Sequence, residues 1–134
     1  LLLRPPQLDA LGLEAALRWQ ANALLRNGTP VLDLSVGMPA TRPPPAVELA
    51  CFRIAQEALT NVVRHAGARH VRVRVACEDD ALHLRVEDDG IGIDPARPQG
   101  LGLLTMRERA QLAGGTLRID SDAQGTRLHA RLPL

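Results

Sequence analysis

Hydrophobic positions along the chain change their spacing several times, and each change marks an element. From about Leu8 to Arg26, apolar residues recur at Leu13, Ala16, Leu17, Ala21, Leu24 and Leu25, the spacing of one helix face. Asn27-Gly28 supplies a left-handed stop. Val31–Val36 alternates, with Leu32, Leu34 and Val36 on one side, as a half-buried strand does. A proline-rich connection from Gly37 to Pro45 leads into a second helix, Glu48 to Ala66, ended at Gly67. Two further alternating runs, His70–Ala76 and Ala81–Asp88, flank Glu78-Asp79-Asp80 as a hairpin. Leu101–Ala113 reads as a third helix stopped by Gly114-Gly115, and Thr116–Ser121 with Thr126–Leu132 as a last hairpin. Three helices and about five strands, each strand apolar on one face, predict an α+β fold: a two-layer α/β sandwich with a mixed, mostly antiparallel sheet.

The second helix is apolar nearly all round, through Leu49, Phe52, Ile54, Ala55, Ala58, Leu59, Val62 and Val63. Glu57, Asn61, Arg64 and His65 interrupt it at i, i+4, i+7 and i+8, which places them in one polar stripe. A carboxylate and a carboxamide one turn apart can hold a hard divalent cation, and a neighbouring arginine can face phosphate oxygens. The plainer reading is an i,i+4 polar pair on a solvated helix face, and the stripe alone favours that reading.

The run Leu82, Leu84, Val86 continues into Asp88-Asp89-Gly90-Ile91-Gly92. A period of two puts Asp88 on the apolar face, while His83, Arg85 and Glu87 point away. A carboxylate at the inner end of a strand needs a partner, because burying it alone is costly. The amino group of a bound base would serve, and so would an ordinary buried salt bridge. Gly90 and Gly92 permit a sharp turn and close backbone approach to a ligand. Gly100-Leu-Gly102 then opens the third helix, where exposed N–H groups and the helix dipole attract an anion. A loop in need of flexible residues would look the same.

Composition narrows the function classes. With 46% apolar and 23% charged residues in 134, the chain is an ordinary single-core domain. A net charge of +1 makes no case for nucleic acid or an anionic membrane surface, although every one of the 16 basic residues is arginine. Trp19 and Phe52 are the only aromatics, so no stacking platform exists for single strands. Cys51 and Cys77 form neither a metal box nor a disulfide framework and read as buried free thiols, which suits the reducing cytoplasm. No apolar run approaches the ~20 residues of a membrane span. Leu1-Leu2-Leu3 before Arg4-Pro5-Pro6 reads as the cut end of something longer, with residues 1–6 a linker remnant and 7–134 the domain.

The order ExxxNxxxHA (Glu57 to Ala66), DxGxG (Asp88 to Gly92), Gly100-Leu-Gly-Leu103, then Met106-Arg-Glu-Arg109 and a late Gly125-Thr126 resembles the ATP-binding domain of bacterial sensor histidine kinases. It is similar in particular to the nitrate-sensor and desaturase-sensor subfamily, within the larger group that includes gyrase-type and chaperone ATPases. Each box is weak alone; three in order on the expected elements are specific, and they cover nearly the whole chain.

The resemblance implies a Bergerat-type fold that binds ATP with Mg²⁺ and passes the γ-phosphoryl group to a histidine on a separate dimerisation domain, for onward transfer to a response regulator. It implies that Asp88 accepts from the adenine amino group, with Gly90 and Gly92 shaping that pocket and Thr126 closing it. Asn61 would ligate Mg²⁺, with Glu57 beside it as an orienting or proton-accepting carboxylate and a second possible ligand. Arg64 and His65 would face the phosphates, and Gly100 and Gly102 would cradle them. Arg64 departs from the lysine common at this position, and His65 reads equally well as a residue of the pocket rim. The stretch Ile93 to Gln99 matches the nucleotide lid. None of the four histidines precedes an acidic residue, so none fits a phosphoacceptor, and the fragment is expected to bind ATP as a monomer without phosphorylating itself. The parent sensor could be membrane-anchored, with this domain cytoplasmic and free of direct membrane contact. Two alternatives stay open: a serine kinase of the anti-sigma-factor type, which shares the boxes, and a non-catalytic nucleotide-sensing or docking module.

Overall fold

The computed structural model describes residues 4–93 and 101–134; of Leu101 only the backbone is described. Helix α1 spans Pro6–Leu24, β1 Val31–Val36, α2 Pro45–Asn61, β2 His70–Glu78, β3 Ala81–Asp88, α3 Leu101–Leu112, β4 Thr116–Asp122 and β5 Gly125–Pro133. The five strands form one open mixed sheet in the order β1-β2-β3-β5-β4. Only β1 and β2 run parallel, and α2 is the crossover that a parallel pair needs. The remaining pairs are antiparallel, with Val73 opposite Val86 and Val86 opposite Leu128. These are the expected α+β architecture and its mixed sheet.

Helix α2 starts on Pro44-Pro45, where a proline without an N–H loses nothing. Its buried residues Val47, Cys51, Ile54, Ala58 and Leu59 follow the helical period and pack toward β3 and β5. Complete burial of a valine, isoleucine or leucine side chain among them contributes about 1.5–3 kcal/mol. The sheet meets the helices through Val71, Val73 and Val75 of β2, Leu82, Leu84 and Val86 of β3, and Leu128, Ala130 and Leu132 of β5. Met106 and Ala110 bring α3 into the same core.

Four details depart from the sequence expectation. The first helical stretch is broken at Gly12 (φ 79°, ψ 171°), so its periodicity belongs to two pieces rather than one. It also begins at Pro6, two residues before the expected start, because Pro6 takes the first helical turn. Cys77 is exposed near the end of β2, and only Cys51 is buried. His83 lies on the outward face by register yet is only 7% exposed, because the His129 ring stacks on it with centroids 5.1 Å apart.

Asp79 and Asp80 make the β2–β3 turn with φ of 53° and 56°, a two-residue geometry that aspartate tolerates better than most residues. Beneath α1, Glu48 is a nearly fully buried carboxylate in the first turn of α2. It accepts from Arg42 Nε at 3.0 Å and from Arg4 Nη2 at 3.1 Å. Arg4, in the stretch expected to be linker, also reaches the Pro45 carbonyl and Asp9.

Candidate functional site

Three backbone crossings build the site, each at a glycine of the sequence motifs. A Cβ on Gly90 would overlap the Ala66 carbonyl, which accepts from the Ile91 N–H at 2.8 Å. The acidic turn is thereby locked onto the end of the helix that carries the polar stripe. Gly92, with φ at 80°, passes directly against the Asp122 carbonyl at the β4–β5 hairpin. Gly125 does the same against the carbonyl of Asp88. Any side chain at these points would force the segments apart.

The end of α2 is also special. After Asn61 the helix widens into a single π-helical turn, Val62–Ala66, stopped by Gly67 in the left-handed conformation. The stripe expected from α-helical spacing is therefore split. Asn61 and His65 face the cavity, whereas Arg64 is exposed outside its lining.

The cavity holds about 460 Å³ between the end of α2, the acidic turn, the start of α3 and the last hairpin. Of the residues singled out in the sequence, Asn61, His65, Asp88, Gly92, Gly102 and Thr126 line it. Glu57 stands one turn before Asn61, and its carboxylate lies against Gly102, where a Cβ would overlap it. Gly90 supports the turn from outside through Ala66. Gly100 and all of the expected lid except Ile93 lie outside the described residues. The walls are apolar: Val86 and Leu128 from the sheet, Met106 and Leu103 from α3, and Ile91 from the turn. Ile91 is 71% exposed, an apolar side chain that water reaches at the cavity mouth.

The paired aspartates differ sharply. Burial holds the Asp88 carboxyl above its ordinary range, opposed by the N–H groups of Gly90 and Thr126 that bond its charged form. The Gly90 N–H donates at 2.9 Å. Asp89 is pulled down to about 2, because the His70 N–H and ring and the Arg69 N–H all reach it, at 2.8 to 2.9 Å. Asp89 therefore fastens the turn to β2, and Asp88 offers a poorly solvated acceptor to the cavity.

Three contributors received no individual role from the sequence. Ile91 and Ile93 flank Gly92 in the turn, and only their apolar type in a glycine-rich turn could have flagged them. Ser121, on β4, accepts from the Ile93 N–H at 2.6 Å and lies 3.0 Å from the Thr126 hydroxyl. Nothing local in the sequence predicts that contact, because it joins positions 28 residues apart.

Comparison with known proteins agrees with the fold. Residues 46–134 match the family described as histidine kinase-, DNA gyrase B-, and HSP90-like ATPase. The chain is 40% identical over 133 residues to the signal transduction histidine-protein kinase/phosphatase UhpB of Salmonella typhimurium. It is 34% identical over 136 residues to the oxygen sensor histidine kinase NreB of Staphylococcus carnosus. Each match takes in 98% of this chain but only 26% and 39% of those relatives, so the chain spans well under half of their length. Among solved structures, the histidine kinase domain of the Erythrobacter litoralis blue-light activated histidine kinase superposes with a TM-score of 0.78 at 26% identity. That match covers 91% of this chain and 65% of the other. The Acinetobacter baumannii histidine kinase AdeS shares the fold at a TM-score of 0.74 and 16% identity, over 90% of this chain and 64% of the other.

Proposed function

Because the chain belongs to the histidine kinase-, DNA gyrase B- and HSP90-like ATPase family, we propose that it is the ATP-binding catalytic domain of a sensor histidine kinase. In this reading it holds Mg-ATP so that the γ-phosphoryl group passes to a histidine on a separate dimerisation domain, and from there to a response regulator. The observation that carries the reading is the placement of Asp88, Thr126 and Asn61 around one cavity, with Glu57 set against Gly102 at its edge.

The roles follow from the chemistry of each group. Asp88, an acceptor held by two N–H groups at the inner end of β3, takes the adenine amino group. The apolar walls take the faces of the base. Gly102 brings the first turn of α3 to the cavity, where its backbone N–H groups can meet phosphate oxygens, His65 supplies a polar group on the lining, and Arg64 a cation outside it. Asn61 offers one hard oxygen ligand. Among the described residues no group of three or more histidine, cysteine or acidic side chains could hold a metal. Mg²⁺ keeps several waters and is shared with phosphate, so a single protein oxygen such as that of Asn61 can serve it. When bound, Mg²⁺ supplies neutralisation of the phosphoryl charge. Glu57 orients the reacting groups or accepts the proton released as an imidazole nitrogen bonds to the γ-phosphorus and the bond to ADP breaks.

Among the described residues no helix is long and apolar enough to cross a membrane. We place the domain in the cytoplasm, where ATP is available, and take the isolated chain to be a monomer. A concentration-independent dimer by light scattering would overturn the monomer.

The test is calorimetry of ATP and ADP binding with and without Mg²⁺, on the parent, Asp88→Asn and Asn61→Ala. The expected result is binding by the parent, loss of adenine selectivity in Asp88→Asn and loss of Mg²⁺ dependence in Asn61→Ala. Phosphohistidine formation on an added dimerisation domain then tests the transfer. A parent that binds no nucleotide overturns the reading and leaves a docking module.

A further inference from the structure

Ser121 occupies a junction that the proposed nucleotide site depends on but that no role yet covers. Its Oγ accepts from the Ile93 N–H at 2.6 Å. The same oxygen lies 3.0 Å from Thr126 Oγ1 and 3.4 Å from the Gly125 carbonyl. A serine hydroxyl carries one proton and two acceptor lone pairs. The Ile93 N–H uses one lone pair. Two arrangements satisfy these contacts: Ser121 donates to the Gly125 carbonyl and accepts from Thr126, or Ser121 donates to Thr126 Oγ1 across the shorter distance. In the second arrangement Thr126 receives a hydrogen bond from Ser121, and its own proton is free to turn into the cavity it lines.

Register brings this hydroxyl to the acceptor of the site. Thr126 lies directly opposite Asp88 across β3 and β5, and opposite Ser121 across β4 and β5. In that arrangement the cavity wall presents a carboxylate acceptor beside a hydroxyl donor. Adenine offers the complementary pair on its edge, an amino donor beside a ring-nitrogen acceptor. Guanine offers a carbonyl acceptor beside an N–H donor, the reverse order.

We propose that Ser121 is a positioning residue for nucleotide selectivity: it fixes the Thr126 hydroxyl as a donor into the cavity and pins the Gly92–Ile93 turn to the β4–β5 hairpin. The inference rests on the nucleotide-binding reading and deepens it. Gly92 reinforces the pin, because its α-carbon sits against the Asp122 carbonyl and Ser121 Oγ with no room for a side chain. Ser121 touches no part of a ligand in this scheme. It acts through Thr126 and Ile93.

The experiment compares the chain with Ser121→Ala and Ser121→Thr by calorimetry with ATP and with GTP, alongside amide hydrogen exchange at Ile93. In Ser121→Ala, ATP affinity is expected to fall about ten-fold and GTP affinity by less, so the ATP-to-GTP ratio shrinks. Exchange at Ile93 accelerates in the same variant. Ser121→Thr, which keeps the hydroxyl, restores both. A purely structural role would lower thermal stability and leave the ratio unchanged. An unchanged ratio in Ser121→Ala, with the parent binding ATP, overturns this inference alone. A parent that binds neither nucleotide overturns the site itself and this inference with it. The Ile93 exchange reads the pin in either case, and an unaltered rate refutes it.

Discussion

The carboxylate of Glu57 on α2 lies against the α-carbon of Gly102 on α3, in the volume a side chain at 102 would occupy. Two helices that meet nowhere in sequence are thereby set at a distance that depends on one missing methyl group. Glycine costs up to about 1 kcal/mol relative to alanine in a helix interior and less in the first turn, where Gly102 sits, so the close approach is maintained against a modest helix propensity.

A double-mutant cycle isolates this contact. Gly102→Ala alone is expected to change stability by less than about 1 kcal/mol, because helix propensity gained is offset by displacing the flexible Glu57 end. In the Glu57→Ala background the same change should gain roughly 0.5 kcal/mol, since the obstruction is gone. Urea unfolding of the four proteins measures it. Equal effects of Gly102→Ala in both backgrounds would refute the contact.

Glu48 predicts a larger effect. It is 1% exposed and paired with Arg4 and Arg42. Removing one member of a buried ion pair strands the others, at a cost of roughly 3–5 kcal/mol. Glu48→Ala is expected to reach the lower end of that range, since the Arg42 side chain is 58% exposed and can return to water. Arg42→Ala should cost less, because Arg4 still pairs with the buried carboxylate. Chemical denaturation ranks the two, and the reverse order would contradict this account.

The two aspartates predict opposite pH behaviour. Asp89 is held at about 2 against 3.8 unfolded, so it contributes stability above pH 3.8 that is lost as pH falls toward 2. The stability gap between parent and Asp89→Asn should be flat near neutrality and close in that acid window. Asp88 is raised, so stability falls as pH climbs from the unfolded 3.8 to its higher folded value and stays reduced above it. Asp88→Asn should therefore be at least as stable as the parent at pH 7 while losing adenine selectivity. A destabilised Asp88→Asn would mean that its charge is better satisfied than the geometry indicates.

The outer histidine pair sets a third pH signature. His83 Nε2 faces the Glu78 carbonyl at 3.3 Å, so it carries the proton, and His83 Nδ1 accepts from His129 Nε2 at 2.8 Å. Burial, then the charges of Arg85 and His83, push the His129 ring below its ordinary 6.5, with Glu78 opposing and Arg118 adding. A base whose folded value is depressed stabilises the fold above 6.5 and loses that contribution as pH falls below it. Stability should drop from pH 7 to pH 5, and His129→Gln should flatten the drop. An identical slope in the variant would remove the pair as its cause.

Much of the site is legible one residue at a time, where a local period decides it. Alternation through Leu82, Leu84 and Val86 places Asp88 on the inner face before any neighbour is known, because strand geometry has a fixed period of two. The four-residue step from Asn61 to His65 likewise puts both on the cavity side. Arg64 escapes that logic, since the π-helical turn begins at Val62 and alters the angular step just where it would have joined them. Glu48, which composition assigns to the surface, is buried because Arg4 and Arg42 arrive from 44 and 6 residues away.

The sequence by itself determined the elements, their buried faces and the motif glycines that must lack side chains. Those properties follow from backbone period and sterics within a few residues. Strand order was decided only in three dimensions. Placing β5 between β3 and β4 sets Thr126 opposite Asp88 and beside Ser121, and brings Ser121 onto the Ile93 N–H. The Ser121–Thr126 contact closes the predicted hairpin, but those of Thr126 with Asp88 and of Ser121 with Ile93 join residues 38 and 28 positions apart, and no local rule fixes them, because they depend on which strands share a hydrogen-bonded edge.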